Sequence, residues 1–202
     1  MASSELIGER PLSELTAAEL LASLASPGPA LAAGTGAALA GGLAAALLEK
    51  ACAITLRRSD DARLRELRDL AAEARTAGPS LAGDDATAYA RVIEAQRLPA
   101  DDPSRAERLA TALSDAAEPP LAIARRAAQI AALAAEAVSR VGPALRGEAV
   151  AGALLAEAAA SAAAVLVAID LAEHQGDPRL ERARRAARSA QESRDRALGG
   201  AP

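Results

Sequence analysis

The sequence predicts an all-α protein, a single-domain multi-helix bundle of about eight helices over residues 1–202. Two observations carry this. Apolar residues recur at helical spacing from end to end, while β-branched or aromatic runs of period two are nearly absent. Proline, glycine and acidic cap residues then cut the chain at intervals suited to helices.

The first predicted helix, "PLSELTAAELLASLA" (11–25), is amphipathic and stops before Pro27. The second runs from about Thr35 to Leu56, with Leu39, Leu43, Leu47 and Ile54 along one face. Ser59 is placed to cap a third, with Asp60 and Asp61 in its first turn and Gly78-Pro79 as its end. A fourth covers "DDATAYARVIEAQR" (84–97), and Asp102-Pro103 is a cap-plus-proline start for a fifth. The sixth, "PLAIARRAAQIAALAAEAVSRV" (120–141), places Ile123, Ala127, Ile130, Ala134 and Val138 on one stripe and ends at Gly142-Pro143. An alanine-rich helix follows to about Gln175, and Asp177-Pro178 opens an arginine-rich last one. Residues 186–202 carry few large apolar groups and read as a mobile tail ending in a frayed "GGAP".

Composition narrows the function. The net charge is −4, and Tyr89 is the sole aromatic, so neither a basic face nor stacking platforms for nucleic acid are implied. Cys52 and His174 are each alone in their type, which argues against a disulfide framework, a Ser–His–Asp device or a multi-His metal site. Cys52 reads as a small core residue, and His174 as a charge favourable near a helix C-terminus. The start "MASSELIGERPLSEL" lacks a basic segment followed by an apolar one, so it does not read as a signal peptide. The run 149–174 is long enough to span a bilayer, but it carries Glu157 and Asp170 and is rich in alanine. It reads as a buried core helix. The expected compartment is the cytoplasm, with no membrane and no nucleic acid as partner.

Three stretches, in order, are similar to the cyclodeaminase/cyclohydrolase family, which includes formiminotetrahydrofolate cyclodeaminases and methenyltetrahydrofolate cyclohydrolases. "PALAAGTGAALAGGLAAALLEKACAITL" resembles the family's proline-glycine run and alanine-rich helix. "DDATAYARVIEAQRLP" resembles its Asp-x-x-Ala-Phe/Tyr segment. "AAEPPLAIARRAAQIAALAAEAV…VGPALRGEAVAGALLAEAAASAAAVLVAIDL" follows its order of Pro-Leu helix, short loop and Leu-Leu-Ala-Glu-Ala-Ala helix. The likeness covers about residues 10–185. Departures cluster at the loops. Only Gly34 remains of a glycine triplet, with Ala32 and Ala33 in place of the others and Thr35 where the family has Ser. Gly142, Ala144, Leu166 and Asp170 replace family asparagines, Gly147 a serine and Glu148 an aspartate, and the chain contains no asparagine.

The resemblance implies a homodimer, a folate-type small molecule as partner, and a tetrahydrofolate derivative as substrate, with no permanently bound cofactor. The implied chemistry is ammonia release from formiminotetrahydrofolate or hydrolysis of the methenyl bridge. Both move protons around a carbon held between nitrogens, and both can use acid/base carboxylates without metal. Asp85 and Glu148 are the catalytic candidates. Gly34, Thr35, Tyr89, Arg97 and Asp170 are the substrate-binding ones, and the loops around Thr35 and Glu148 are expected to meet at one cleft. The competing readings are ordinary: Asp85 and Glu148 as first-turn helix acids, Thr35 as a cap, Tyr89 as core or interface, Arg97 as a helix end. The alternative function is a diverged, non-catalytic family member serving as a dimeric binding or structural protein.

Overall fold

In a computed structural model, residues 10, 12–27 and 31–200 are described; the expectations for the chain start, for residues 28–30 of the glycine-proline turn and for the last two residues fall outside them. The described residues form seven α-helices and two short 3-10 turns, with no strand. The helices are α1 (Ala17–Ala25), α2 (Ala33–Leu56), α3 (Ala62–Gln96), α4 (Arg105–Ala116), α5 (Glu118–Val138), α6 (Arg146–Asp170) and α7 (Pro178–Gly199).

The all-α class is as expected, but the third and fourth predicted helices are one. Pro79 lies inside α3, which runs unbroken for 35 residues. Tertiary packing explains this. A Cβ on Gly78 would stand 3.4 Å from the Gly42 Cα and 3.6 Å from the Ala38 carbonyl oxygen, so α2 and α3 cross backbone to backbone here. The pair Gly78-Pro79 is a crossing point, where contact with α2 outweighs the local cost of a mid-helix proline. The α3 cap is Asp61 rather than Ser59: its carboxylate accepts from the Arg63 and Leu64 amides at 2.8 and 3.1 Å. Asp177 caps α7 as expected, accepting from the Arg179 amide.

The axis of the bundle is α5, which packs on α2, α3, α6 and α7; α2 in turn packs on α3 and α6. Lys50, late in α2, pairs with Glu148, early in α6, at 3.1 Å, so these two helices are antiparallel. The core is mostly alanine, with Leu48, Leu64, Leu67, Ile123, Ile130 and Leu171 as its largest fully buried side chains. Such a core gains contact through close backbone approach. Gly152 of α6 shows it directly: a Cβ there would be 3.1 Å from the Ala44 carbonyl oxygen of α2. The Cys52 thiol is fully buried, and that burial pushes its pKa up to about 11.

Two sequence expectations change. Residues from 186 onward are not a loose tail among those described: α7 buries Ala186, Ala190, Ser193 and Ala197, and Arg194 reaches Glu157 of α6 at 3.6 Å. Alanine alone suffices to seat a helix in a core this closely packed. Nor is α6 buried all round. It buries eight residues on one side and leaves Leu154, Val165 and Ile169 exposed on the other. Among the described residues, α2 and the segment Pro143–Asp170 have the length and apolarity to cross a membrane, but each packs one face into the bundle.

Packing this close sets a sharp contrast between glycines. Gly152→Val is expected to cost about 1–3 kcal/mol by wedging α6 from α2. Gly83 has open space around its Cα, so Gly83→Ala should be neutral or stabilise by up to about 1 kcal/mol through helix propensity. Urea denaturation of both variants measures the difference.

Candidate functional site

α2 begins without a side-chain cap of its own, because its N-cap residue is Ala32. The carboxylate of Asp85, from the middle of α3, takes that part. It accepts the backbone N–H of Thr35, in the first turn of α2. The Thr35 hydroxyl lies 3.4 Å from both Asp85 Oδ2 and the Ala82 carbonyl oxygen. This is an N-cap supplied by another helix, with a negative charge at the positive end of the α2 dipole. It also explains Gly34. A Cβ there would lie 1.9 Å from Asp85 Oδ1, inside the carboxylate.

In front of this contact is a cavity of about 230 Å³, lined by Ala32, Ala33, Gly34, Asp85, Tyr89, Ala116, Pro120, Leu166, Ile169 and Asp170. Five helices, α2 to α6, build it. Tyr89 follows Asp85 by one turn of α3 and is 39% exposed. Asp170 is the last residue of α6. It holds no hydrogen bond or ion pair among the described residues, and two effects raise its pKa to about 6: burial, and the nearby negative charge of Asp85. Burial also raises Asp85, while the Thr35 amide and hydroxyl pull it back down. The lining contains no cationic side chain. The arrangement is two neighbouring carboxylates, a phenol and an apolar remainder, suited to a ligand that is cationic or becomes so, with one carboxyl able to exchange its proton near neutral pH.

The sequence-predicted residues divide accordingly. Gly34, Asp85, Tyr89 and Asp170 line one cavity. Thr35 is fully buried behind its wall and faces Asp85 rather than the opening. Arg97 is the exposed C-cap of α3 and is not part of the lining. Glu148 does not meet Thr35. It pairs with Lys50, and α2 carries Lys50 fifteen residues beyond Thr35, about 22 Å along the helix. The Lys50 ammonium lowers the Glu148 pKa, the opposite of Asp170. The expected joint cleft of the two loops is therefore absent within one chain. The reason is antiparallel packing: it brings the start of α2 to the end of α6, where Asp170 lies. Pro120 and Ala116 belong to the cavity too. The "PP" start of α5 was the only hint of the first, and nothing in the sequence singles out the second.

Sequence comparison agrees with the implied family. The profile of the family described as formiminotransferase-cyclodeaminase matches residues 16–189, most of the chain. The chain belongs to this family. Within it, the crystal structure of formiminotetrahydrofolate cyclodeaminase from Thermotoga maritima superposes with a TM-score of 0.83 at 21% identity. The match covers 94% of this chain and 97% of that one, so the fold is shared over its whole length. No curated protein sequence is significantly similar to the chain.

Two outcomes test the site's physics. Gly34→Ala should cost about 1–3 kcal/mol, because the new methyl expels the carboxylate that caps α2; thermal unfolding reads this against Ala33→Gly. The second concerns Asp170. Its folded pKa of about 6 stands above the ordinary 3.8, so its ionised form is penalised by folding. That penalty is absent below pH 3.8, grows between the two values and is complete above 6. Asp170→Asn should therefore raise the Tm at pH 7.5 and give no gain at pH 3.5.

Proposed function

We propose that this chain acts on a one-carbon derivative of tetrahydrofolate, as a cyclodeaminase or cyclohydrolase, with Asp170 as its proton-transfer group. The observation that carries the reading is the paired carboxylates in a cavity lined by no cation. The family membership supplies the substrate class.

In cyclodeamination, the bridging anilino nitrogen of formiminotetrahydrofolate attacks the formimino carbon on the ring nitrogen, and its proton passes to the imino nitrogen, to give a tetrahedral carbon bearing an amino group. The amino nitrogen must then take a second proton and leave as ammonia as its C–N bond breaks, which yields the methenyl cation. Protonated Asp170 is suited to deliver the proton, since a carboxyl with a pKa of about 6 is partly protonated near neutrality. When ionised, Asp85, which accepts from the Thr35 donors, supplies negative charge toward the cation that forms. Hydrolysis of the methenyl bridge uses the same groups differently: ionised Asp170 takes a proton from water as the water attacks the carbon. Tyr89 provides a flat apolar wall against which the pterin packs. At about 230 Å³ the cavity takes the reacting head of a folate, and the rest of the ligand lies outside it.

A homodimer belongs to this proposal. Leu43 of α2 and Leu154, Val165 and Ile169 of α6 are exposed by 62, 40, 58 and 60% on faces turned away from α5. Exposed apolar side chains on two neighbouring helices are of the kind that oligomers cover. Leu43→Arg combined with Val165→Arg should turn a dimer into a monomer by light scattering with the helical circular dichroism retained.

One observation favours the non-catalytic alternative. The cavity wall around the acids is Ala32, Ala33, Ala116, Pro120, Leu166 and Ile169, with no side-chain amide to orient a pterin. Kinetics separates the two readings. Purified protein is expected to accelerate the absorbance decay of methenyltetrahydrofolate, or ammonia release from formiminotetrahydrofolate, above the spontaneous rate. Asp170→Asn should lower kcat by about 10²–10⁴-fold and remove the pH dependence centred near 6. Glu148→Gln should leave turnover unchanged. No acceleration with either substrate would leave the binding or structural reading.

A further inference from the structure

The geometry points to a second ligand site: the groove between α5 and α7 binds an elongated polyanion of phosphate or carboxylate groups. This site is independent of the cavity above and shares no lining residue with it.

The groove encloses about 730 Å³. Its walls are Arg125 and Gln129 on α5, one helical turn apart, and Arg182, Arg185 and Ser189 on α7; Ala128 and Ala186 form its floor. From Pro178 to Ser189 the α7 wall is about 16 Å long. Three guanidiniums thus face one elongated concavity from two sides.

Their gathering around one groove, without a counter-ion, sets them apart. Elsewhere, arginines that bridge helices do so onto an acid: Arg63 onto Glu136, Arg75 onto Glu49, Arg126 onto Glu73, Arg140 onto Asp61 and Arg179 onto Glu118. Arg125, Arg182 and Arg185 make no ion pair or hydrogen bond among the described residues. The single acid on the groove wall, Glu181, is engaged by Arg188 at 2.7 Å, although it also feels the charge of Arg185. Like charges gathered without a counter-ion repel and favour an anion that bridges them. Guanidinium forks suit the paired oxygens of phosphate or carboxylate, while Gln129 and Ser189 add neutral donors. A compact anion meets one fork; an elongated one meets all three.

The site sits on a chain of net charge −4, so overall attraction for anions does not account for binding there. The probes are tripolyphosphate, citrate and a tri-glutamate peptide, titrated calorimetrically into the full chain at low salt, with thermal shift as a second readout. Tripolyphosphate or tri-glutamate is expected to bind and raise the Tm, and whichever binds tighter identifies the anion chemistry. Citrate, being compact, should bind more weakly than the better of the two. The triple variant Arg125→Gln, Arg182→Gln, Arg185→Gln should lose about tenfold or more in affinity with an unchanged or higher Tm without ligand. Arg184→Gln, on the same helix and outside the groove wall, should bind as the parent does. Absence of binding by all three probes, or an equal loss in the Arg184 variant, overturns the proposal.

Discussion

The carboxylate of Asp85, set against the start of α2, is the contact on which the site depends. It completes a helix whose own N-cap residue is alanine, it demands glycine at position 34, and it fixes the crossing of α2 and α3 at their cavity end. The same charge then acts outward. It raises the pKa of Asp170 across the cavity, so a structural cap becomes part of an electrostatic arrangement. Buried charge of this kind is costly unless it is hydrogen-bonded; burial raises the Asp85 pKa, and the Thr35 amide and hydroxyl offset part of that cost. Thr35 therefore serves the site from behind the wall.

Small residues make this geometry reachable. With Gly42 against Gly78 and Gly152 against the Ala44 carbonyl, three helices approach at backbone distance. Larger side chains at those crossings would hold the helix axes further apart and draw the Asp85 carboxylate away from Thr35. The alanine-rich composition, which as a sequence looks featureless, is thus the condition for a polar contact between helix interiors. The cost is a thin core, and the bundle adds ion pairs between helices, including the two-pronged Arg63–Glu136 contact at 2.7 and 2.6 Å.

Two acids of α6, the catalytic candidate Glu148 and the binding candidate Asp170, illustrate how position decides chemistry. Asp170 and Glu148 stand at opposite ends of α6. Asp170 is buried beside a like charge and its pKa rises; Glu148 is paired with Lys50 and its pKa falls. Both are carboxylic acids on the same helix, and their neighbours set the opposite shifts. Since α6 is about 37 Å long, no small rearrangement exchanges their roles.

By itself, the amino-acid sequence determined the all-α class, most helix boundaries and the family likeness, and it singled out Gly34, Asp85, Tyr89 and Asp170, which line one cavity. These rest on local periodicity, cap chemistry and motif order, which are properties of consecutive residues. Tertiary structure alone decided that Gly78-Pro79 is a crossing rather than a break, because the determining contact comes from Gly42 and Ala38, some forty residues away. It also decided that Asp170 rather than Glu148 joins Asp85, because only the antiparallel pairing of α2 with α6 says which end of α6 meets the start of α2. The seating of α7 was illegible for a related reason. Alanines such as Ala186 and Ala190 carry almost no signal of burial on their own, and become core only when a neighbouring helix comes close enough to cover them.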